Sequence, residues 1–294
     1  MWAATLAVLA MDAPHTPTLQ PSSAHTASAE VSSAHVAMAS DADRRFCPED
    51  DENKGGLERA LRTLTRGLTI DVGSYDGTNA LSYARAGHEV IAMEPSPSKR
   101  APIEALFAAS GHSDSLKLLP IAVSNQTGSL AFYVSTQQGT RSSIIQNGAT
   151  GSEQDQLDQP PWPSTRVEVP VSTLDAVVGT DRDVVYAKID AQGHDHEALM
   201  GAKELIRSHR LRRVAFELSP GLASGAAPGY VKAVNFLAAA GYRCSSCGSH
   251  TSEAGSSIKQ LVANLATGTT MFRGTNIGAW TNLVCFAPGV DPAA

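Results

Sequence analysis

The sequence predicts an α/β fold, a Rossmann-like, doubly wound and mostly parallel sheet flanked by helices. Three observations lead to it. Apolar strand-like runs alternate with helical segments along most of the chain, the run Leu68–Val72 enters a glycine-bearing turn, and a second strand ends on an acid, Glu94.

Composition bounds the reading first. The 294 residues suit one α/β domain with appendages, and 42% hydrophobic content is enough for a sizeable core. The 18% charged fraction lies below the usual value of about 25%. With a formal net charge of −6 and no dense Lys/Arg run, the chain lacks the basic footprint of nucleic-acid or anionic-membrane binding. No nucleic-acid partner is expected, and a neutral small-molecule acceptor fits better. The apolar stretch Trp2–Ala10 falls far short of the roughly 20 residues of a membrane helix, so no span is expected. Small residues follow that stretch but no Lys or Arg precedes it, which favours a cytoplasmic location with a secretory leader as the alternative. Asn125-Gln126-Thr127 matches a glycosylation acceptor and has meaning only in a secreted chain.

From Pro14 to Ser40 the chain is dominated by Ala, Ser, Thr, His and Pro without hydrophobic periodicity, so residues 1–56 are expected to be disordered. Leu57, Leu61 and Leu64 then recur at helical spacing and open a domain over residues 57–290. Leu68–Val72, Glu89–Met93 and Leu116–Val123 read as strands, with helices at Thr78–Ala86 and Ser98–Ala109 between them. The turn-like Ser124–Gly128 and the alternating Ser129–Val134 suggest a β-hairpin added to the sheet. Ser135–Ser164, rich in Gln, Ser, Gly and Pro, reads as a long loop, and Val167–Val171 resumes as a strand. Then come a strand at Val184–Ile189, a helix at His194–Arg207, a strand at Val214–Leu218, a helix at Tyr230–Ala240 and a last strand at Asn282–Phe286. Within the Gly/Ser/Thr-rich Ser245–Gly278, the apolar run Ile258–Leu265 suggests a covering helix.

The chemistry concentrates at strand ends. In Ile70-Asp71-Val72-Gly73-Ser74-Tyr75-Asp76-Gly77-Thr78 a buried strand runs through a glycine turn into a helix, whose N-terminal N–H groups and glycines allow close ligand approach. Asp71 is a candidate for the ammonium of a bound amino-acid moiety. Glu94, 23 residues further on and followed by Pro95, stands where Rossmann-like sites grip ribose hydroxyls. Gly73, Ser74, Tyr75, Asp76, Gly77 and Pro95 complete the candidate cofactor site. The spacing departs from the Gly-x-Gly-x-x-Gly dinucleotide fingerprint. Asp190 and Glu217 end two further apolar strands and are the candidate catalytic carboxylates, with helix capping as the plainer role for each.

Several ordered motifs resemble the FkbM-type methyltransferases. These are Ile-Asp-Val-Gly…Asp-Gly at Ile70–Gly77, Glu-Pro-Ser at Glu94–Ser96, Ala-Val-Ser…Thr-Gly-Ser-Leu at Ala122–Leu130 and Ser-Thr-Leu-Asp at Ser172–Asp175. Lys-Ile-Asp…Gly…Leu…Gly-Ala at Lys188–Ala202 and Phe-Glu-Leu at Phe216–Leu218 complete the set. The resemblance implies a class I methyltransferase fold, S-adenosylmethionine as cofactor, and methylation of a hydroxyl on a sugar (glycan) or natural-product-like small molecule. Family members often carry Ala-Asn where this chain has Ser74-Tyr75, and many carry Glu in place of Gln192.

Two other readings stay open: a nicotinamide-dependent oxidoreductase, against which the missing fingerprint speaks, and a catalytically silent binding module. No metal site is expected. His194 and His196, two apart on a helix, do not share a face. Cys244-x-x-Cys247 with His250 lacks a near fourth ligand, so unpaired thiols are the expectation for the four cysteines. Arg141-Ser142-Ser143 reads as a solvated loop, and nothing in the sequence sets the oligomeric state.

Overall fold

The computed structural model describes residues 34–48, 55–135, 143–144, 164–179, 181–222, 225–248, 256–268, 271–272, 275–276 and 279–292. The strands are β1 (Ala37–Met38), β2 (Leu68–Val72), β3 (Glu89–Met93), β4 (Leu116–Leu119), β5 (Ala122–Val123), β6 (Gly128–Ser135), β7 (Ser143–Ile144), β8 (Ser164–Ser172), β9 (Val184–Ile189), β10 (Arg213–Leu218), β11 (Arg243–Ser246), β12 (Met271–Phe272), β13 (Thr275–Asn276) and β14 (Thr281–Phe286). The helices are α1 (Asp41–Arg44), α2 (Gly56–Arg62), α3 (Thr78–Arg85), α4 (Pro97–Ala109), α5 (Leu174–Val178), α6 (Asp195–Met200), α7 (Lys203–Arg207), α8 (Ala227–Ala239) and α9 (Ile258–Thr267).

Eight strands form the main sheet in the order β1-β11-β14-β10-β9-β2-β3-β4. All neighbours run parallel except β14, which is antiparallel to both β10 and β11. The sheet is apolar on both faces because both are covered, as parallel sheets require. Ile70, Val72, Ala187, Ile189, Val214 and Phe216 join one core with Leu199, Leu205, Tyr230, Val234 and Leu261. The alternate residues Val90, Ala92, Tyr186 and Ala215 join the other with Leu57, Leu61, Leu81, Tyr83, Ile103 and Phe107. Strand order reverses between β2 and β9, and the carboxyl ends part there to leave a crevice.

Five features differ from the sequence reading, the first being that the strand expected over Leu116–Val123 is two, β4 at the edge of the main sheet and β5 in another sheet. Ser124–Gly128 does not close a hairpin between its flanking strands; Val171 of β8 pairs with Ala122 on one side and Gly128 on the other. Pairing the long β6 with the long β8 buries Phe132, Val169 and Val171 together, which the two-residue β5 could not do. The antiparallel pair therefore belongs to a separate sheet of order β5-β8-β6-β7. The single helix expected over His194–Arg207 is broken into α6 and α7 at Gly201, where a Cβ would lie 2.2 Å from the Ser124 carbonyl oxygen.

The ordered chain also starts before Leu57. β1 pairs with β11, the Asp43 carboxylate takes two hydrogen bonds from Arg243, and Phe46 is fully buried against Phe286 with rings 5.9 Å apart. Residues 1–33 and 49–54 of the expected disordered segment lie outside the described residues. Finally, the cysteines are paired as Cys47–Cys247 and Cys244–Cys285, not free. The second bridge joins residues directly opposite in the β11·β14 ladder. Most of the expected loop Ser135–Ser164, including Arg141 and Ser142, lies outside the described residues. Among the described residues no helix is long and apolar enough to cross a membrane.

Candidate functional site

The crevice at the strand reversal opens into a cavity of about 410 Å³, within the roughly 300–1,000 Å³ of small-molecule sites. The turn after β2 lines it with Gly73, Ser74, Tyr75 and Asp76, and the end of β3 with Glu94 and Pro95. Ile121, Ala122, Val123 and Phe132 form an apolar wall, and Lys188, Asp190 and Gln192 close the β9 side. Six of the eight expected cofactor residues thus meet at one cavity. Asp71 and Gly77 lie behind it, and of the two candidate catalytic carboxylates Asp190 lines it while Glu217 does not.

Gly73 has φ +74°, and a Cβ there would sit 2.0 Å from the Asp190 carbonyl oxygen. Only glycine lets the turn lie flat against the end of β9. Gly77, φ +79°, caps α3, and its missing Cβ makes room for Ile103 of α4. That glycine serves packing.

Glu94 is 5% exposed, its Oε2 accepting from the Tyr75 N–H and its Oε1 from the Ser96 N–H, both at 2.8 Å. Burial raises its pKa, with these two donors opposing the rise. Each oxygen keeps a lone pair, so the carboxylate is fixed and can still accept from a ligand hydroxyl.

Beside the cavity three charged residues share one face of neighbouring strands. Asp71 and Lys188 are register partners, and Glu217 follows one strand over. Lys188 Nζ donates to Asp190 Oδ2 at 3.0 Å, while Gln192 Nε2 donates to Asp190 Oδ1. Burial alone would lower the Lys188 pKa, but the Asp190 and Asp71 carboxylates outweigh it and raise the pKa, so the ammonium stays charged. Asp71 is fully buried, and burial raises its pKa against the pull of Lys188 and of the Ser74 hydroxyl. Asp195 accepts from the Ala191 and Gly193 N–H groups, both at 3.0 Å, and so holds the turn that presents Asp190 and Gln192. Burial, then the charges of Glu217 and Asp190, push the Asp195 pKa well above the carboxylate range. The cavity itself is lined by three carboxylates, Asp76, Glu94 and Asp190, and by two ammonium groups, Lys99 and Lys188.

A family model described as the methyltransferase FkbM domain matches residues 71–244, more than half of the chain. The chain belongs to the FkbM methyltransferase family. The cofactor of this FkbM chain is S-adenosylmethionine, and membership decides against the nicotinamide-dependent oxidoreductase. Similar solved structures include a methyltransferase FkbM from Methylobacillus flagellatus KT, at 11% identity and TM-score 0.43, covering 83% of this chain and 57% of that one. Cofactor-bound Rv0187 from MTB aligns at 11% identity and TM-score 0.41, covering 84% and 85% of the two chains. A precorrin-6y C5,15-methyltransferase from Geobacter metallireducens GS-15 aligns at 11% identity and TM-score 0.38, covering 85% and 94%. Scores this low carry no argument about activity or acceptor. No curated protein matches the chain.

The FkbM motif also explains position 75. Tyr75 has φ +53°, and its N–H is the Glu94 donor, so its part in the site is played by the backbone. Its ring is 46% exposed, with Lys99 Nζ 3.9 Å from the centroid. Asparagine, frequent there in the family, enters the left-handed region more readily. Tyr75→Asn is expected to gain about 0.5–1 kcal/mol, the relieved backbone cost less the lost cation–π contact. Urea unfolding reads this, and a loss of stability would count against the strain.

Sequence reasoning missed Lys188 and the hold that Gln192 has on Asp190. A lysine inside the otherwise apolar Val184–Ile189 was the available signal. The two histidines are both buried. His194 Nε2 lies 3.0 Å from Ser124 Oγ, and burial, with a smaller push from His196, lowers its pKa to about 3. The unfolded chain binds that proton below about pH 6.5, so the stability His194 contributes is complete above this pH and is lost as the pH falls towards the folded value. The loss is about 1.4 kcal/mol per pH unit, or roughly 2 kcal/mol at pH 5. His194→Gln is expected to shrink the difference between urea midpoints at about pH 7.5 and pH 5; an unchanged difference would refute the assignment.

Proposed function

We propose that the cavity binds S-adenosylmethionine and that this FkbM chain methylates a hydroxyl of a small molecule, a sugar or natural-product-like acceptor. The residues present suit the cofactor. The Gly73 cradle, the pinned Glu94 carboxylate and the surrounding carboxylates match a ligand that carries a ribose diol and positive charge. Glu94 would accept from the ribose hydroxyls, the Gly73–Asp76 turn with Pro95 would take the neighbouring parts, and Ile121, Ala122 and Val123 would cover an apolar ring. Asp71, set behind the cavity, would contribute charge without contact. The cofactor supplies a sulfonium-bound methyl group open to attack by an oxygen nucleophile.

The observation that carries the reading is the state of Asp190, a carboxylate at the cavity with one oxygen held by Lys188 and the other by Gln192. Lys188 places its ammonium 3.0 Å from one of its oxygens. Asp190 orients the acceptor hydroxyl and takes its proton as the new bond forms, the role of a positioned general base. Glu217, set back from the cavity, acts on Lys188 through its charge. The double hold on Asp190 also favours a second reading, a module that binds cofactor without turnover.

The test is methyl transfer from labelled S-adenosylmethionine to a panel of glycans, hydroxylated small molecules and an RNA. Label entering a hydroxylated small molecule or glycan supports the proposal. Transfer to RNA alone, or none despite cofactor binding, refutes it, and the latter outcome supports the module.

A further inference from the structure

Asn125-Gln126-Thr127 is the one Asn-x-Ser/Thr sequence in the 294 residues, and all three residues are exposed, in the turn between β5 and β6. An acceptor sequence of this kind matters only in a chain that passes through a glycosylating lumen. The cysteines supply an independent observation on that point. All four are paired, the first bridge joins residues 200 apart in the chain, and Cys47, Cys244 and Cys285 are buried. Bridges of this kind form and persist in oxidising compartments, whereas the reducing cytosol keeps thiols free. The first bridge ties the segment ahead of β2 to the end of β11, where the Asp43–Arg243 ion pair and the Tyr186 hydroxyl donating to the Phe46 carbonyl hold the same segment in place.

We propose that this chain folds in an oxidising secretory lumen and carries an N-linked glycan on Asn125. The local chemistry is compatible with it. Asn125 Nδ2 donates one hydrogen to Glu197 Oε2 of α6, and an amide nitrogen has two. In the transfer, Nδ2 forms a bond to the anomeric carbon of a polyprenyl-diphosphate-linked oligosaccharide. The bond from that carbon to the diphosphate oxygen breaks, the diphosphate leaves with the electron pair, and one amide proton is released. The remaining N–H can still donate to Glu197. The attached glycan would stand at the rim of the cavity, two residues after Val123 of its apolar wall.

The experiment expresses the full chain in insect cells, isolates it without reductant, alkylates free thiols, and maps peptides before and after release of N-glycans by an amidase that converts the glycosylated Asn to Asp. Expected are no alkylated cysteine, a mobility shift lost on amidase treatment, and Asp at position 125 after it. Thr127→Ala should abolish the shift and Thr127→Ser should keep it; Asn125→Gln gives the same readout should Thr127→Ala fail to accumulate. An unmodified Asn125 in a chain with all four cysteines oxidised overturns the proposal, as do four alkylated cysteines or a shift that survives Thr127→Ala.

Discussion

Alanine at Gly73 is expected to destroy cofactor binding and to cost the fold several kcal/mol. The residue sits at φ +74°, and the added methyl would lie 2.0 Å from the Asp190 carbonyl oxygen, a backbone atom that cannot rotate aside. The left-handed conformation costs a non-glycine residue about 1–2 kcal/mol, and forcing atoms apart in a packed interior costs typically about 1–3 kcal/mol. A loss of roughly 2–5 kcal/mol follows, read as a lower urea midpoint with an unchanged slope. The strain falls on the contact between the turn after β2 and the end of β9, so binding is lost even where the chain still folds. Wild-type affinity in Gly73→Ala would mean that this approach of two strand ends has no part in the site.

Asp190→Asn should lower turnover by about 10² to 10⁴-fold, the usual contribution of a positioned acid or base, while cofactor affinity changes little. The substitution keeps the shape of the side chain but removes the charge that Lys188 faces at 3.0 Å. Lys188 still has Asp71 opposite it and Glu217 nearby, so the ammonium stays compensated and the fold should survive. Single-turnover rates with saturating cofactor separate the chemical step from binding. An unchanged rate would remove Asp190 from the chemistry and leave it a structural partner of Lys188.

Much of the cofactor half was legible because its signals are local. A strand, a glycine turn and a helix follow one another within Leu68–Arg85, and Glu94 comes at the tip of the next strand. The sheet reading held for the same reason, since period and turn chemistry are read over a few residues. What the sequence hid depends on distant partners. Residues 34–48 read as polar and disordered because their anchors, Cys247, Arg243 and Phe286, lie 200 or more residues away. The strand Arg243–Ser246 lacks an apolar run and is defined by its pairing with β14. Asp71 and Glu217 were placed near the cavity on strand-end position alone. Asp71 is level with Lys188, two residues short of Asp190, whereas Glu217, one residue past the Phe216–Ile189 pair, lies on β10, one strand beyond the β2–β9 reversal. The lysine reaches the cavity from the same level because its side chain is longer.

On this reading the crevice between β2, β3 and β9 is the cofactor site, with the fixed Glu94 carboxylate as its anchor. Calorimetric titration of S-adenosylmethionine into the wild-type chain and into Glu94→Ala tests it most directly. The two backbone donors that hold Glu94 leave lone pairs for a ligand diol, and losing a hydrogen bond to a charged group costs about 1.5–3 kcal/mol. The expected result is one saturable site in the wild type and an affinity roughly 10- to 150-fold lower in the variant. Equal affinity in the two proteins would mean that Glu94 does not hold the cofactor.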